Sequence, residues 1–253
     1  MTTIITTIIA SFIIAMVLGV LLGFFQKVFY VPVDEKTAKV REVLPGANCG
    51  GCGFPGCDGF AAACAAGTAP VVGCAAGGPK TAKAVGEVLG VSVNAEAHVS
   101  LLACQGSKAC AAPRGVYNGV KTCSAAKIAV NGTKMCTFGC IGFGDCVAVC
   151  KFEALSMGED GLPHVDSAKC TGCGMCIKAC PQHLFSKIPV SRKGAVALCS
   201  NRSENKPSIM KNCKTGCIKC GKCEKNCPVQ AIKLVNGIPE VDYSLCNSCK
   251  TCY

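Results

Sequence analysis

The sequence contains no tryptophan, only four tyrosines and only three histidines. The histidines, His98, His164 and His183, are isolated and have no nucleophile arranged beside them. No P-loop is present, and Gly142-Phe143-Gly144 is a fragment of a dinucleotide motif that lacks a surrounding strand and helix. These absences argue against a nicotinamide or flavin site and against bond-making catalysis on this chain.

Cysteine, by contrast, is abundant, with 25 residues in a chain of 253. Seven cysteines recur with similar neighbours 76 or 77 positions later, and Cys136 and Cys213 form an eighth pair. The seven pairs are Cys123 and Cys199, Cys140 and Cys217, Cys146 and Cys223, Cys150 and Cys227, Cys170 and Cys246, Cys173 and Cys249, and Cys176 and Cys252. Cys180 would predict a further cysteine near position 256, beyond Tyr253, so the sequence is expected to lack its natural end. The chain therefore contains a duplicated module.

The spacing within the module is C-x2-C-x2-C-x3-C-P. It occurs at Cys170, Cys173, Cys176, Cys180 and Pro181, and again at Cys217, Cys220, Cys223, Cys227 and Pro228. This is the bacterial ferredoxin signature for a 4Fe–4S cluster, in which the fourth cysteine ligates the neighbouring cluster. Zinc ribbons do not need the third cysteine or the Cys-Pro step. Disulfides need an oxidising compartment, and cysteines so close together pair poorly. We therefore predict iron–sulfur clusters in a reducing cytoplasm.

The first copy departs from this signature. Phe143 stands where the second copy has Cys220, and Lys151 stands where Pro228 follows. We expect Cys136 to replace the missing loop ligand. The alternative is an abnormal or missing cluster at this position.

Between the cysteine runs, the sequence predicts two β-hairpins. Residues 154–157 and 162–165 flank Gly158-Glu-Asp-Gly161, and residues 231–235 and 238–241 flank Asn236-Gly237, a pair that favours a tight turn. Hairpins and short helices of this kind are typical of two-cluster ferredoxins. The predicted fold class is α+β, with a transmembrane helix, a small helical 4Fe–4S domain and two tandem two-cluster ferredoxin-like modules, the second truncated.

A separate cluster domain is predicted upstream. Cys49, Cys52, Cys57 and Cys74 have the spacing C-x2-C-x4-C-x16-C, and glycines around the first three would let the backbone approach the cluster. Asp58 is expected to cap a helix over residues 59–66, in which Cys64 is expected to be a buried small side chain. A second helix is predicted over residues 79–93, with Ala82, Val85, Val88 and Leu89 on one face.

The amino terminus predicts a membrane anchor. Residues 2–26 carry no charge, and residues 4–25 are almost continuously apolar, long enough for a transmembrane helix. A signal peptide would have a basic beginning and a shorter apolar core. Lys27, Lys36, Lys39 and Arg41 follow the apolar segment, and by the positive-inside rule they place the amino terminus outside and the cluster domains in the cytoplasm.

The net charge of +11 could suggest nucleic-acid binding. However, each oxidised cluster with its four thiolates carries about −2, so five or six clusters would nearly neutralise the chain. The scarcity of aromatic residues also leaves no platform on which bases could stack. We expect no nucleic-acid partner.

The apolar span, the Cys49–Cys74 domain and the ferredoxin modules, in this order, resemble the B subunit of the Rnf complex. The resemblance covers essentially the whole chain and implies an ion-translocating ferredoxin:NAD+ oxidoreductase of the cytoplasmic membrane, which pumps Na+ or H+. It implies that this chain accepts electrons from soluble ferredoxin and relays them to polytopic membrane subunits and to a flavin- and NADH-binding subunit. The domains would then be an anchor (1–27), a linker (28–44), a cluster domain (45–98), a first module (99–193) and an incomplete second module (194–253).

The same resemblance implies five clusters. The implied ligand groups are Cys49, Cys52, Cys57 and Cys74; Cys150 with Cys170, Cys173 and Cys176; Cys180 with Cys136, Cys140 and Cys146; Cys217, Cys220 and Cys223 with an unseen cysteine; and Cys227 with Cys246, Cys249 and Cys252. Cys104, Cys110, Cys123, Cys199 and Cys213 remain unassigned, and a sixth cluster built from some of them is a hypothesis. Alternative functions are an electron-transfer subunit of another membrane reductase or hydrogenase, a methyl-transfer accessory protein, and a structural or sensing use of the clusters.

Overall fold

The computed structural model describes residues 2–29, 34–192 and 194–252. Helix α1 spans Thr2–Val28, and its side chains from Ile4 onward are exposed. Within it, the hydroxyls of Thr7 and Ser11 donate to the carbonyls of Ile4 and Ile8, each over 2.9 Å, so these polar groups are satisfied inside the helix. In the described part of the chain, Ile4–Val28 is the one helix apolar and long enough to cross a membrane. Its 25 residues extend about 37 Å, which exceeds the hydrocarbon thickness of a bilayer.

The amino-terminal cluster domain is built from helices α2 (Glu35–Val43), α3 (Cys57–Ala65) and α4 (Gly78–Leu89), with a short 3-10 turn at Val71–Gly73. Val40, Phe60, Ala61, Cys64 and Val85 form its core, with Val40, Ala61 and Val85 fully buried. Ala82 and Val85 lie on the buried face of α4 as the sequence predicts.

Two details of these helices differ from the prediction. Helix α3 begins two residues before the predicted start and is preceded by Gly56, so Asp58 lies in its first turn and makes no cap. Asp58 instead accepts a hydrogen bond of 2.6 Å from the Nε of Arg41, which ties α3 to α2. Helix α4 ends at Leu89 because Gly90 takes the left-handed conformation and closes the helix there, before the predicted end at residue 93.

The first ferredoxin-like module contains two antiparallel strand pairs. Strand β1 (His98–Leu102) pairs with β4 (Phe185–Pro189), and β2 (Leu155–Met157) pairs with β3 (Pro163–Val165) in the predicted hairpin. Helix α5 (Cys123–Val130) lies between β1 and β2 in the chain, and the short helices α6 (Asp145–Ala148) and α7 (Met175–Ala179) follow the cysteine loops. Leu155 and Phe185 are buried between the strands and the two short helices.

The second module contains α8 (Lys206–Asn212), α9 (Lys222–Lys225) and the predicted hairpin of β5 (Ile232–Val235) and β6 (Ile238–Val241). Asn236 and Gly237 connect the two strands with φ angles of 51° and 74°. Two consecutive positive φ angles are what a tight hairpin turn needs, and they explain why Asn-Gly stands here.

Backbone contacts join these three parts. Gly51 packs so closely on the first module that a Cβ there would lie 3.1 Å from the carbonyl oxygen of Cys173. The two modules meet through hydrogen bonds of 2.9 Å from Ala112 N to the Asn212 carbonyl and from Lys214 N to the Cys110 carbonyl. The cysteine loops of neighbouring parts are therefore next to one another.

Candidate metal centres

Four thiols gather in the amino-terminal domain. Cys49, Cys52, Cys57 and Cys74 line one cavity with about 320 Å³ of empty space. Asn48 holds the first loop against α3, because its side-chain oxygen accepts a hydrogen bond of 2.8 Å from the Cys57 amide. Cys64 does not line this cavity; it packs in the helical core, where burial raises the pKa of its thiol. The structure thus brings together the predicted ligand set, with Cys64 packed behind it in the core and outside the cavity lining.

The loop that carries Cys170, Cys173 and Cys176 is fastened to strand β1. The Ser100 amide donates to the Cys170 Sγ over 3.4 Å, and the Ser100 hydroxyl lies 3.2 Å from the Cys176 Sγ. Cys150 packs on the same buried cluster that contains Cys176. The predicted group of four therefore lies on one side of the module, and the buried Ser100 contacts the sulfurs of Cys170 and Cys176.

We expect Ser100→Ala to make the reduction potential of this centre more negative. A hydroxyl that donates to a thiolate stabilises the reduced, more negatively charged cluster, so its removal disfavours reduction. One ordinary hydrogen bond of about 1 kcal/mol corresponds to a shift of about 40 mV for a one-electron couple. A redox titration followed by electron paramagnetic resonance measures this shift. Ser100→Thr, which keeps the hydroxyl, is the matched control, and an equal shift in both variants would contradict this role of the hydroxyl.

The third group differs from the prediction. Cys123, Cys140, Cys146 and Cys180 line one cavity with about 350 Å³ of empty space, and Cys136 is absent from its lining. The pKa of the Cys140 thiol and that of the Cys146 thiol are each raised to about 12, mainly by burial. The Cys104 thiol and, less strongly, the Cys123 thiol add to the increase at Cys140, and the Cys123 thiol adds to it at Cys146. The structure therefore does not bring Cys136 to the cavity of Cys140, Cys146 and Cys180, where the prediction placed it. Cys123, which had no assigned role in the sequence pattern, takes the position.

Cys123 is the first residue of helix α5, which positions its thiol at this cavity. The Asp145 carboxylate accepts hydrogen bonds from the Cys123 amide (2.7 Å) and the Ser124 amide (3.0 Å), and so clamps the start of α5 onto the cysteine loop. Burial alone would raise the pKa of Asp145, but these hydrogen bonds lower it below its ordinary value. Phe143, which replaces the loop cysteine, packs its ring against Tyr117 at a centroid distance of 5.8 Å. Phe143 thus packs against the core that holds α5 in place, and α5 carries the Cys123 thiol that lines the cavity.

Two more groups lie in the second module. Cys227, Cys246, Cys249 and Cys252 line one cavity with about 620 Å³ of empty space, as their spacing predicts. The Cys227 Sγ accepts a hydrogen bond of 3.3 Å from the Ala231 amide. Cys217 and Cys220 lie near enough to Cys223 to raise the pKa of its thiol, although burial is the larger cause. The structure therefore brings together the members of both predicted groups that lie within the described residues.

A further cavity contains thiols to which the sequence pattern assigned no role. Cys136 lines it together with Cys104, Cys199 and Cys213. The sequence repeat pairs Cys199 with Cys123, but the structure gives these residues different neighbours. Cys199 stands opposite Cys104 in an isolated antiparallel bridge. Equivalence by spacing therefore fails for this pair of cysteines.

The thiols in these cavities are spread out. Among residues 2–29, 34–192 and 194–252, no three histidine, cysteine or acidic side chains converge closely enough to hold one metal ion. A single zinc ion needs sulfurs about 2.3 Å from one point. The four thiols instead surround an open volume, and backbone or side-chain donors point at several of the sulfurs. This donor set fits a polynuclear iron–sulfur group.

Three family models match the chain. One described as "Putative Fe-S cluster" matches residues 44–75, and two described as "4Fe-4S dicluster domain" match residues 136–184 and 169–232. The first includes all four cysteines of the amino-terminal cavity. The second begins at Cys136 and therefore does not include Cys123.

Curated relatives resemble almost the entire chain. The chain is 41% identical to the B subunit of the Na+-translocating ferredoxin:NAD+ oxidoreductase complex of Acetobacterium woodii, over 89% of this chain and 68% of that protein. It is 40% identical to the B subunit of the ion-translocating oxidoreductase complex of Methanosarcina acetivorans, over 89% and 85%. It is 38% identical to the B subunit of the proton-translocating ferredoxin:NAD+ oxidoreductase complex of Clostridium ljungdahlii, over 89% and 80%. With its iron–sulfur domains and its apolar amino-terminal helix, this chain belongs to the family of Rnf-type B subunits, the iron–sulfur electron-transfer subunits of ion-translocating oxidoreductase complexes.

Proposed function

We propose that this chain accepts electrons from reduced soluble ferredoxin and relays them to the flavin- and NADH-binding subunit and the polytopic subunits of an Rnf-type complex. The observation that carries the proposal is the contact between successive cysteine groups. The Cys49 loop packs on Cys173 through Gly51, and Cys176 shares a buried cluster with Cys146. Three groups of thiols thus follow one another without a break through the amino-terminal domain and the first module.

Five 4Fe–4S clusters account for these groups. When bound, each cluster supplies one-electron transport, since it can be reduced and reoxidised without making or breaking substrate bonds. The ligand sets are those predicted from the sequence, except that Cys123 replaces Cys136 beside Cys140, Cys146 and Cys180. Cys217, Cys220 and Cys223 supply three of the ligands of their cluster.

The protein's own contribution is to position the thiols and to tune their electrostatics. The amides of Ser100 and Ala231 donate to the sulfurs of Cys170 and Cys227, and the Ser100 hydroxyl lies beside the sulfur of Cys176. Such donors stabilise thiolates and raise reduction potentials. The buried setting excludes water from Cys140 and Cys146, so the irons replace protons on thiols that would otherwise remain protonated at neutral pH.

The proposed role of this chain concerns electrons and not the transported ion. Helix α1 has no ionisable side chain from Ile4 to Gln26 and therefore offers no carboxylate to a moving Na+ or H+. The relative at 41% identity belongs to a complex named as Na+-translocating, and the relative at 38% identity belongs to one named as proton-translocating. Both ions therefore occur among proteins this similar to the chain. The role proposed for this chain, which is to deliver electrons, is the same for either ion.

The chain sits in the cytoplasmic membrane with its amino terminus outside and its cluster domains inside. Lys27 lies at the end of α1, and Lys36, Lys39 and Arg41 follow on α2, whereas no basic residue precedes the span. This asymmetry supports the proposed orientation. It also places the cysteines in the reducing compartment that holds soluble ferredoxin.

Reduction by ferredoxin tests the proposed function. The full chain, purified anaerobically, is mixed with reduced low-potential ferredoxin, and absorbance near roughly 400 nm is followed by stopped flow. We expect rapid bleaching. We also expect the chain to be isolated from membranes with a flavin-containing soluble partner and several polytopic subunits. Unchanged absorbance would support a structural or sensing use of the clusters, and hydrogenase or other reductase partners would support the alternative complex.

A further inference from the structure

We propose that Cys104, Cys136, Cys199 and Cys213 hold a sixth iron–sulfur cluster, which bridges the two ferredoxin-like modules. We call the cavity that these four residues line the bridging pocket. The inference goes beyond the five clusters of the proposed function and rests on them only for the kind of group that the chain binds.

The bridging pocket has about the size of the cysteine cavities in the amino-terminal domain and the first module. It contains about 370 Å³ of empty space, compared with 350 Å³ around Cys123, Cys140, Cys146 and Cys180 and 320 Å³ around the amino-terminal thiols. All four of its cysteines are free thiols. Burial raises the pKa of the Cys136 thiol, and its neighbours Cys104, Cys199 and Cys213 raise it further. Four thiols around a cavity of matching size form a complete ligand set for a 4Fe–4S cluster.

Each of the four sulfurs has a polar partner. The Cys140 amide donates to the Cys104 Sγ over 3.4 Å, and the Cys217 amide donates to the Cys199 Sγ over 3.3 Å. The Asn201 side-chain amide donates to the Cys136 Sγ over 3.6 Å, and the Thr215 hydroxyl lies 3.4 Å from the Cys213 Sγ. Cys170 and Cys227, which are predicted ligands, accept amide hydrogen bonds of 3.4 and 3.3 Å in the same way. Cysteines that merely filled the core would not need four such partners.

The lining of the bridging pocket also contains a buried cation and a glycine beside two of the thiols. Lys134 and Asn201 both line it and are more than nine-tenths buried. The Lys134 ammonium donates to the Gly106 carbonyl over 2.6 Å, which keeps a positive charge beside the thiolates. At Gly106 a Cβ would lie 3.6 Å from the sulfurs of both Cys104 and Cys213. Gly106 therefore borders the pocket directly beside these two thiols.

The bridging pocket lies where electrons would pass from one ferredoxin-like module to the other. Cys104 and Cys136 come from the first module, and Cys199 and Cys213 come from the second. The two amides that donate to its sulfurs belong to Cys140 and Cys217, each of which is a proposed ligand of a cluster in its own module. The bridging pocket therefore lies directly between a cluster of the first module and a cluster of the second. A cluster there would complete the path along which electrons pass between the modules.

The test compares iron content in matched cysteine variants of the full chain, isolated anaerobically in its complex. We expect about 24 irons per wild-type chain and a loss of about four irons in Cys199→Ser and in Cys213→Ser. Cys110→Ser is the matched control, because Cys110 is next to this region in sequence but does not line the pocket. It should keep all its iron. Full iron content in Cys199→Ser and Cys213→Ser, or zinc in place of iron, would overturn the proposal.

A second variant covers the case in which the cysteine variants fail to fold. Asn201→Ala removes the donor to Cys136 and leaves all four thiols in place. We expect it to keep its full iron content and to lower the reduction potential of one cluster only, measured by electron paramagnetic resonance. If no potential moves, no cluster is bound at Cys136 and the proposal fails. Failure of the proposed function would look different, since ferredoxin would then reduce no cluster even in the wild-type chain.

Discussion

Replacing Cys123 by serine is expected to remove one cluster from the first module, with a loss of about four irons per chain. The thiol of Cys123 lines the cavity with Cys140, Cys146 and Cys180, while Phe143 leaves the loop without its usual cysteine. Three remaining thiolates hold a cubane cluster weakly, because one iron is left exposed. Because this cavity lies between the Cys176 group and the bridging pocket, ferredoxin-driven electron transfer to the partner subunits should fall to background. Iron analysis and turnover of the isolated complex measure the two effects.

A compensating substitution makes this test specific. In the second module Cys220 occupies the loop position that Phe143 occupies in the first. The double variant Cys123→Ser with Phe143→Cys should therefore recover the lost iron. Cys64→Ser is the control for general damage, because Cys64 is buried in the amino-terminal core and lines none of the cysteine cavities. If Phe143→Cys instead restored iron to a Cys136→Ser variant, Cys136 would be the ligand after all.

Two lysines in the middle of α1 are expected to release the chain from the membrane. Ile13 and Val17 lie near the centre of the exposed apolar helix. On insertion scales, each lysine at a helix centre costs about 3 kcal/mol, so Ile13→Lys with Val17→Lys costs about 6 kcal/mol. Membrane fractionation followed by immunodetection of the chain measures the effect, and most of the double variant should appear in the soluble fraction.

The matched control is Ile4→Lys, at the end of the same helix. A lysine there can extend its side chain to the interface, so the variant should remain in the membrane. If the double variant sediments with salt-washed membranes as the wild type does, partner subunits and not α1 hold the chain in place.

The sequence was most informative where ligands are close together. The groups at Cys49–Cys57 and Cys170–Cys176 occupy single loops, so their spacing alone predicts which thiols meet. The hairpins at Leu155–Val165 and Ile232–Val241 were predicted for the same reason, because a tight turn brings neighbouring strands together.

The sequence predicted the ligand groups least well where one of the ligands lies on an element that is distant in the chain. Cys123 reaches its cavity on α5 because Asp145, 22 residues away, clamps the helix in place. Spacing favoured Cys136 for the missing ligand, left Cys123 without a role and contained no sign of that clamp. The pairing of β1 with β4 spans a still longer gap, since Leu102 pairs with Phe185. The bridging pocket depends on contacts between modules, which no local pattern in either module could reveal.

The bridging pocket also makes each module incomplete without the other. The first module contributes Cys104 and Cys136 and the second contributes Cys199 and Cys213, and in each the amide of a proposed cluster-ligand cysteine donates to the first of the two. Either module alone would supply only half of the ligands. A cluster bound there would therefore cross-link the two halves of the electron path through its own metal–sulfur bonds.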